Sequence, residues 1–305
     1  MVYMNLKITK RSRIFGPEDR DWKDNFLSHA ANPLVIEKNG SMAKVLFNSR
    51  TLSNRSEVWT LELDIDTEEV IKGSVRKLLS ENDFPIFASD GVSLGGILDN
   101  YECPSIFFMG WKAPVDRHWY GELGQLRIKN NSNLSIAIDQ DPTLAIGRDE
   151  PISISYADSG QIGESVFMWY GTTETWDGGN GEMIHTIRVR EFSNGKWINP
   201  KTAIEPIIGY AQAFSKPSFI NLLGTPILAF SYRGNSNKYR IGFCTLTESG
   251  IGSQFKWENF LPNENSWESE MVEYPFLFQH KQELKMLYNG NKYGRTGFGM
   301  ATLNY

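Results

Sequence analysis

Hydrophobic residues recur along this chain in five short runs, each of which ends at a small or polar turn. Each run is an apolar triplet whose last residue is Phe or Tyr, and successive triplets lie about 60 residues apart. We call these last residues the anchors; they are Phe47, Phe108, Tyr170, Phe230 and Tyr288. A regular spacing of this length indicates one supersecondary unit used five times.

Two further apolar segments accompany each anchor. The segment after the anchor alternates, or nearly alternates, between apolar and polar residues and is rich in β-branched and aromatic side chains, which predicts a strand. The segment before the anchor contains Pro33, Leu94, Tyr156, Pro217 or Pro275. Because proline cannot donate a hydrogen bond to a ladder, we expect the three prolines to mark the first residue of a strand.

Three or four antiparallel strands, repeated five times without a long amphipathic helix, predict an all-β, five-bladed β-propeller. One large sandwich or barrel is the alternative, but it would not explain a period near 60 residues. We expect a single domain over residues 1–305. The predicted blades are roughly 28–66, 84–130, 148–198, 207–258 and 267–305.

Two short segments complete the predicted fold. The last repeat shows three strands, and residues 5–10 near the N-terminus can supply the fourth strand and close the ring. Closing the ring would remove an exposed sheet edge. Residues 67–80 are the helical candidate of this chain, although they lack capping residues.

Composition narrows the function classes. The net charge is −5 and the charges are dispersed, which argues against a nucleic-acid or anionic-membrane partner. Neither an apolar signal segment nor a run of about 18 apolar residues occurs, so we expect a cytoplasmic protein without membrane insertion. Cys103 and Cys244 lie in different repeats and are expected to be reduced, with Cys244 in the core. The oligomeric state stays open.

The residues that precede the first strand of each blade should meet at one mouth of the central channel. There, His29, Asp90, Glu270 and Glu273 are candidate acid and base groups, because a partly buried funnel can separate pKa values. Glu270 and Glu273 should point to opposite sides, so we expect at most one in the channel. The alternatives are that His29 binds a connecting loop and that Asp90 forms a turn. Glu268 is expected to be a solvated loop charge.

Candidate binding residues come from the same segments and from the turns after the anchors. Trp and Tyr side chains beside Arg and Asn suit a carbohydrate, although such surfaces also occur at protein interfaces. Lys216 could bind a carboxylate or a phosphate. The scattered histidines and the absence of a Gly-rich phosphate loop predict neither a metal nor a cofactor. The candidate binding residues are Asn32, Arg50, Trp111, Lys216, Arg233, Tyr274 and Asn291.

Several short motifs, in order and one per blade, resemble those of a known enzyme group. They are 28–33 (SHAANP), 90–92 (DGV), 168–171 (MWYG), 239–242 (YRIG), 267–271 (WESEM) and 287–291 (LYNGN). With these motifs the chain resembles the five-bladed propeller glycosidases of glycoside hydrolase families 43, 32 and 68. It is most similar to uncharacterised glycosidase-like proteins encoded among bacterial surface-polysaccharide genes.

The resemblance implies three catalytic carboxylates on inner strands, but this chain departs from that pattern. An Asp is expected directly before the proline of blade 1, where this chain has Asn32. Asp90 lies four residues before Leu94, and blade 3 has Ile154 and Ser155 where a Glu is expected. The family's catalytic triad is therefore not carried over.

We therefore expect a carbohydrate-active, glycosidase- or transglycosidase-like protein. Its ligand would be an oligosaccharide or an activated sugar of bacterial surface-polysaccharide metabolism. The alternative is a non-catalytic propeller that binds a glycan or a nucleotide sugar. Geometry separates the two hypotheses, because glycoside hydrolysis needs two carboxylates that face one pocket about 5 to 10 Å apart.

Overall fold

The computed structural model describes residues 6–19, 28–98, 105–130, 134–253 and 258–305, and strands dominate these ranges. The first strand, β1 (Lys7–Phe15), belongs to the same sheet as the last three strands of the chain. The first repeat contains β2 (Ala31–Asn39), β3 (Met42–Arg50) and β4 (Ser56–Asp64), with short β5 (Glu69–Val70) and β6 (Arg76–Leu79) on β4. The second contains β7 (Gly91–Leu98), β8 (Ser105–Lys112), β9 (Tyr120–Asn130) and β10 (Ser135–Ile138).

The remaining repeats have the same antiparallel organisation. The third contains β11 (Ile154–Ile162), β12 (Ser165–Thr175), β13 (Ile184–Ser193) and β14 (Lys196–Ile204). The fourth contains β15 (Ala213–Leu222), β16 (Thr225–Arg233), β17 (Arg240–Thr245) and β18 (Glu258–Phe260). The fifth contains β19 (Glu273–His280), β20 (Glu283–Asn289), the short turn α1 (Asn291–Gly294), whose Lys292 and Tyr293 have left-handed backbone angles, and β21 (Phe298–Asn304).

The first strands of the five antiparallel groups form a closed ring. β2 contacts β7, β7 contacts β11, β11 contacts β15, β15 contacts β19, and β19 contacts β2. All five anchors lie in the second strand of their group and are fully buried. The closed ring, with each sheet extending outward from it, is a β-propeller, as the sequence pattern predicts.

The N-terminal strand completes the last sheet, in agreement with the prediction. β1 pairs antiparallel with β21 from Lys7 opposite Asn304 to Phe15 opposite Phe298. The strand starts at Lys7 among the described residues, and Asn5 lies outside them. The edge of β21 is thereby paired.

The helical candidate at residues 67–80 is wrong. This segment forms β5 and β6 on the edge of β4, separated by a turn. Gly73 adopts a left-handed φ of 77° in this turn, which no α-helix can contain. Among the described residues, no helix is long and apolar enough to cross a membrane.

The three prolines do not begin their strands, which corrects the prediction. Each lies inside a β-bulge, where the pairing register shifts between residues 31 and 34, 215 and 218, and 273 and 276. A bulge leaves residues without a ladder partner, so the missing proline N–H costs nothing there. The residues before the prolines, Asn32, Lys216 and Tyr274, have positive φ values of 51°, 43° and 59°. β7 and β11 shift register at the corresponding positions.

A repeated hydrogen bond connects neighbouring blades at these bulges. In three blades, the side chain directly after the anchor accepts the backbone N–H of a bulge residue in the next blade. The pairs are Leu94 to Asn48 Oδ1 (2.7 Å), Tyr274 to Ser231 Oγ (2.6 Å) and Asn32 to Asn289 Oδ1 (2.8 Å). The last of these joins the fifth repeat to the first.

Glu268 is buried, not a solvated loop charge as expected. Its side chain is 1% exposed, and Arg11 Nη1 of β1 lies 3.2 Å from Glu268 Oε1. The Arg11 guanidinium also lies 3.8 Å above the ring of Phe260. The strand that closes the last sheet thus also brings the cation that compensates this carboxylate. Cys244, in contrast, is buried in β17 as predicted, and Cys103 lies outside the described residues.

We predict that Arg11→Met lowers the free energy of unfolding by about 2 to 3 kcal/mol, because it leaves the Glu268 carboxylate buried without its cation. Urea denaturation at neutral pH measures the change. Lys10→Met is the matched control, since Lys10 pairs with Glu68 but is 58% exposed, and its loss should cost under about 1 kcal/mol. Equal losses in both variants would contradict a structural role for the Arg11–Glu268 pair.

A candidate sugar-binding cavity at the channel mouth

All five repeats contribute to one cavity of about 520 Å³. Its wall includes at least one residue from near a terminus of a strand in each repeat. Examples in chain order are Arg50, Trp111, His185, Arg233 and Tyr274. Arg50, Trp111 and Arg233 lie near the ends of second strands, whereas His185 lies near the start of a third strand and Tyr274 near the start of a first strand. Antiparallel pairing brings the end of one strand and the start of its neighbour to the same edge of each sheet.

Aromatic side chains on two loops form one wall of the cavity. His118 and Trp119 precede β9, and Trp176 follows β12. The His118 ring stacks on Trp176 with centroids 4.7 Å apart, and Trp119 meets Trp176 edge-on at 5.0 Å. A wall of this kind offers flat apolar faces to a ligand.

A cluster of tyrosines also borders the cavity. Tyr274 lies 5.1 Å from Tyr156, 6.0 Å from Tyr239 and 6.3 Å from Tyr293, measured between ring centroids. Burial raises the pKa of each of these phenols above its ordinary value. The hydroxyl groups therefore stay protonated and can both donate and accept hydrogen bonds.

Arg233 organises the polar side of the cavity. Its guanidinium donates to Glu182 Oε1 at 3.0 Å and to the Tyr293 hydroxyl at 3.2 Å, and it lies 4.8 Å above the ring of Tyr239. Glu182 Oε1 also accepts the backbone N–H of Met183 at 2.9 Å. Among the described residues, Glu182 is the sole carboxylate that lines the cavity.

Glu273 lies behind the tyrosines and is fully buried. Neither of its carboxylate oxygens reaches a donor in hydrogen-bond geometry among the described residues. Burial raises the pKa of Glu273 to about 8, although the Tyr293 N–H and the charges of Arg233 and Arg50 act in the opposite direction. At neutral pH this side chain is therefore mainly a protonated acid beside the cavity.

His185 is a cavity residue that sequence analysis missed. Nε2 lies 2.7 Å from Ser155 Oγ and Nδ1 lies 2.8 Å from Thr173 Oγ1. Burial and the charge of Arg233 lower the pKa of His185 to about 3, so the ring is neutral. Gly171 leaves the room for this arrangement, because a Cβ there would overlap with Ser155 Oγ and His185 Nε2.

Four of the predicted binding residues line the cavity. They are Arg50, Trp111, Arg233 and Tyr274. His29 and Asn32 border a small neighbouring cavity that also contacts Arg50. His29 Nδ1 lies 2.7 Å from Ser28 Oγ, and burial, Arg50 and Arg295 lower the pKa of its ring to about 4.

The other predicted carboxylates lie outside the cavity lining. Asp90 accepts the Ala113 backbone N–H at 2.8 Å and lies 4.0 Å from Arg55 Nε, so it holds the loop after β8. Glu270 is half-exposed and lies 3.9 Å from Lys292 Nζ. Glu270 thus lies at the surface, whereas Glu273 is buried in the interior without lining the cavity.

Two further predicted binding residues, Asn291 and Lys216, form hydrogen bonds within the fold and do not line the cavity. Asn291 Oδ1 accepts the backbone N–H groups of Glu270 and Met271 at 2.8 and 3.1 Å. Lys216 is 1% exposed and donates to the backbone carbonyls of Gly95 at 2.9 Å and Leu94 at 3.3 Å. Burial lowers the pKa of Lys216 to about 7, opposed by the charge of Asp158.

Signals for the missed residues were present but weak. Glu182 follows the Gly-rich turn 178–181, which predicts a turn and nothing more. Tyr239 and His185 lie in segments that alternate like ordinary strands. The part of the chain that the structure describes holds no group of three or more His, Cys, Asp or Glu side chains suited to a metal ion.

Comparison with known proteins places the chain in a family. A search of family models found no match. The uncharacterised protein Rv1502 of Mycobacterium tuberculosis (strain ATCC 25618 / H37Rv) is 30% identical over 300 residues, which cover 96% of this chain and 98% of Rv1502. This chain belongs to the Rv1502 family.

Solved structures show the fold of this Rv1502 family member. A GH43_1 enzyme from Xanthomonas citri superposes with a TM-score of 0.65 at 12% identity, covering 97% of this chain and 90% of that one. The α-L-arabinofuranosidase PaAbf62A from Podospora anserina, in complex with cellotriose, gives 0.63 at 10% identity, with coverages of 96% and 95%. The β-propeller fold of carbohydrate-active glycoside hydrolases is confirmed, whereas identities this low carry no residue roles.

Proposed function

We propose that this protein is a glycosidase-like, carbohydrate-active protein that binds a sugar in the cavity at the channel mouth. The observation that carries the proposal is the combination of a tryptophan wall and a tyrosine cluster with fixed polar groups between them. Sugar C–H faces stack on aromatic rings, while sugar hydroxyls need donors and acceptors held in place. Glu182, Arg233 and the neutral His185 supply them.

A catalytic role needs a second carboxyl group besides Glu182, which is the sole carboxylate lining the cavity among the described residues, and the buried Glu273 is our candidate for it. Glu273 is kept protonated by burial, and the Glu182 carboxylate is paired with Arg233. Glycoside cleavage uses such a pair: an acid protonates the leaving oxygen while a carboxylate assists attack at the anomeric carbon. The acid would be Glu273, and its proton would pass to the leaving oxygen as the C–O bond breaks and water or a sugar hydroxyl attacks.

The tyrosine cluster has to move for Glu273 to reach a substrate. Glu273 is fully buried behind Tyr156, Tyr274 and Tyr293, so a rotation of one of these rings would open its path. Asn32 stands where related hydrolases carry an Asp, so the acting carboxyl groups differ from theirs. We further propose that the ligand is an oligosaccharide or an activated sugar of bacterial surface-polysaccharide metabolism, handled in the cytoplasm.

A turnover and binding screen tests the proposal. We expect wild-type protein to cleave at least one member of a panel of p-nitrophenyl glycosides and nucleotide sugars. Glu273→Gln should lower kcat at least about 100-fold with binding retained, and activity should fall as the pH rises through about 8. Glu270→Gln is the matched control, because Glu270 lies outside the cavity, and it should keep full activity.

Three outcomes decide between the hypotheses. Glycan binding without turnover in the wild type would leave a non-catalytic binder. Full activity of Glu273→Gln would remove Glu273 as the acid. If calorimetry detects no binding of any glycan, and Trp176→Ala behaves as the wild type throughout, the sugar-binding role itself is wrong.

A further inference from the structure

Arg50 differs from the other arginine of the cavity in having no carboxylate partner among the described residues. It ends β3, is half-buried, and lines both the main cavity and the small neighbouring one. Its guanidinium donates one hydrogen bond to a side chain, from Nη1 to Asn54 Oδ1 at 3.0 Å. No carboxylate of the described residues lies within 4.0 Å of it. Arg233, by contrast, is neutralised by Glu182.

The charge of Arg50 acts on three neighbouring ionisable groups. Burial is the largest cause that lowers the pKa of His29, and the charges of Arg50 and Arg295 lower it further. Arg50 also opposes the burial that raises the pKa values of Tyr156 and Glu273. His29 is thereby neutral and adds no positive charge of its own. A cationic corner in a chain with a net charge of −5 is not a consequence of overall composition.

An aromatic plane lies at the same corner. Trp111 lines the cavity together with Arg50, and its indole is held against Gly91, where a Cβ would come within 2.6 Å of Nε1. The single parallel bridge between Ser56 and Gly91 fixes this position relative to the turn that follows Arg50. A sugar ring on an aromatic face would therefore present a substituent toward an uncompensated guanidinium.

We propose that Arg50 forms an anion subsite of this cavity, which receives the carboxylate or phosphate of an acidic sugar. The inference rests on the proposed function and assigns its ligand class. A guanidinium recognises both groups through paired N–H donors in one plane, and burial strengthens the contact. Glu182, the sole carboxylate of the lining in the part of the chain that the structure describes, does not repel such a ligand strongly because Arg233 compensates its charge.

The test compares sugars that differ only in their charge. Glucose, galactose and mannose are each paired with the corresponding uronate and 1-phosphate, and binding is measured by ligand-detected NMR and calorimetry. In the wild type we expect at least one anionic member to bind about 10-fold more tightly than its neutral partner, with the preference weakening as salt is added. Comparison of the uronates with the 1-phosphates identifies whether a carboxylate or a phosphate is recognised.

Matched variants assign the preference to Arg50. Arg50→Gln should abolish the preference, so that anionic and neutral members of a pair bind with equal affinity. Arg50→Lys should keep part of the preference, which also shows that the fold is intact. Arg55→Gln is the control, because Arg55 lies five residues further on and pairs with Glu81 outside the cavity.

The failures of the two proposals are distinguishable. Equal binding of neutral and anionic sugars, or a preference that survives Arg50→Gln, would overturn the anion subsite and leave the sugar-binding cavity standing. If neither neutral nor anionic sugars bind the wild type, the proposed function is wrong and the subsite falls with it.

Discussion

Asn48→Leu is expected to lower the free energy of unfolding by about 3 to 5 kcal/mol. Asn48 is buried and uses its whole amide group. Its Nδ2 donates to the backbone carbonyls of Glu57 at 2.9 Å and Val92 at 2.7 Å. Its Oδ1 accepts the Leu94 N–H at 2.7 Å and the Asn32 Nδ2 at 3.1 Å. Leucine fills a similar volume but leaves four buried polar groups unpaired, each at a cost of about 1 kcal/mol or more.

Asn289→Leu is the matched control for this change. Asn289 occupies the same position after its anchor and is equally buried, but its Nδ2 has no hydrogen-bond partner among the described residues. Its loss leaves one N–H group, that of Asn32, without an acceptor. We expect a cost of about 1 to 2 kcal/mol, measured by urea denaturation beside Asn48→Leu. Equal costs would show that the number of cross-blade hydrogen bonds does not set the stability.

Glu273→Gln is expected to change how stability depends on pH. In the folded protein burial raises the pKa of Glu273 to about 8 from its ordinary value of 4.5. The folded state therefore holds this proton more tightly than the unfolded state. The contribution of protonated Glu273 to the free energy of unfolding is fully present below pH 4.5 and is lost as the pH rises to about 8. Glutamine cannot ionise, so the variant does not suffer this loss.

The readout is the difference in unfolding free energy between the variant and the wild type. Between pH 5 and pH 8 this difference should shift in favour of the variant by about 3 to 4 kcal/mol. Any pH-independent cost of burying the glutamine amide cancels when the difference measured at pH 5 is subtracted from the difference measured at pH 8. Glu270→Gln, at a half-exposed position, should give a difference that stays flat. Parallel curves for Glu273→Gln and the wild type would mean that Glu273 is ionised in the fold.

The propeller was predictable because its determinants are periodic. Each anchor must be apolar to fill the middle of its sheet. Five such positions about 60 residues apart can be recognised whatever residues lie between them. The closing role of residues 5–10 also followed, since a three-stranded last repeat leaves an unpaired edge. The start of the inner strands did not follow, because a bulge and a strand terminus both tolerate a proline.

The candidate site was predictable only in part. Arg50, Trp111, Arg233 and Tyr274 were found because they lie at fixed offsets from the anchors or inner prolines. Glu182 comes from an irregular loop whose path no periodic pattern determines. Trp119 reaches the cavity in the same way, from the loop that precedes β9.

The surroundings of two charged residues, Glu268 and Lys216, could not be predicted, because their burial depends on contacts with residues that are distant in the sequence. Glu268 has the sequence surroundings of a surface loop, and its burial arises from the contact with Arg11 more than 250 residues away. Lys216 looked like a ligand-binding cation, but the carbonyls of Gly95 and Leu94 on another blade enclose its ammonium group. Neither contact has a local signature.

The pairing of β1 with β21 has a consequence for how the chain is made. Lys7 is synthesised 297 residues (304 − 7) before its partner Asn304. At about 5 to 20 residues per second, the first strand waits about 15 to 60 seconds before its partner exists. During that time Arg11 cannot reach Glu268, and the last sheet cannot form. Ring closure therefore waits until the fifth repeat has been synthesised, and the early blades have to remain soluble as an open array until then.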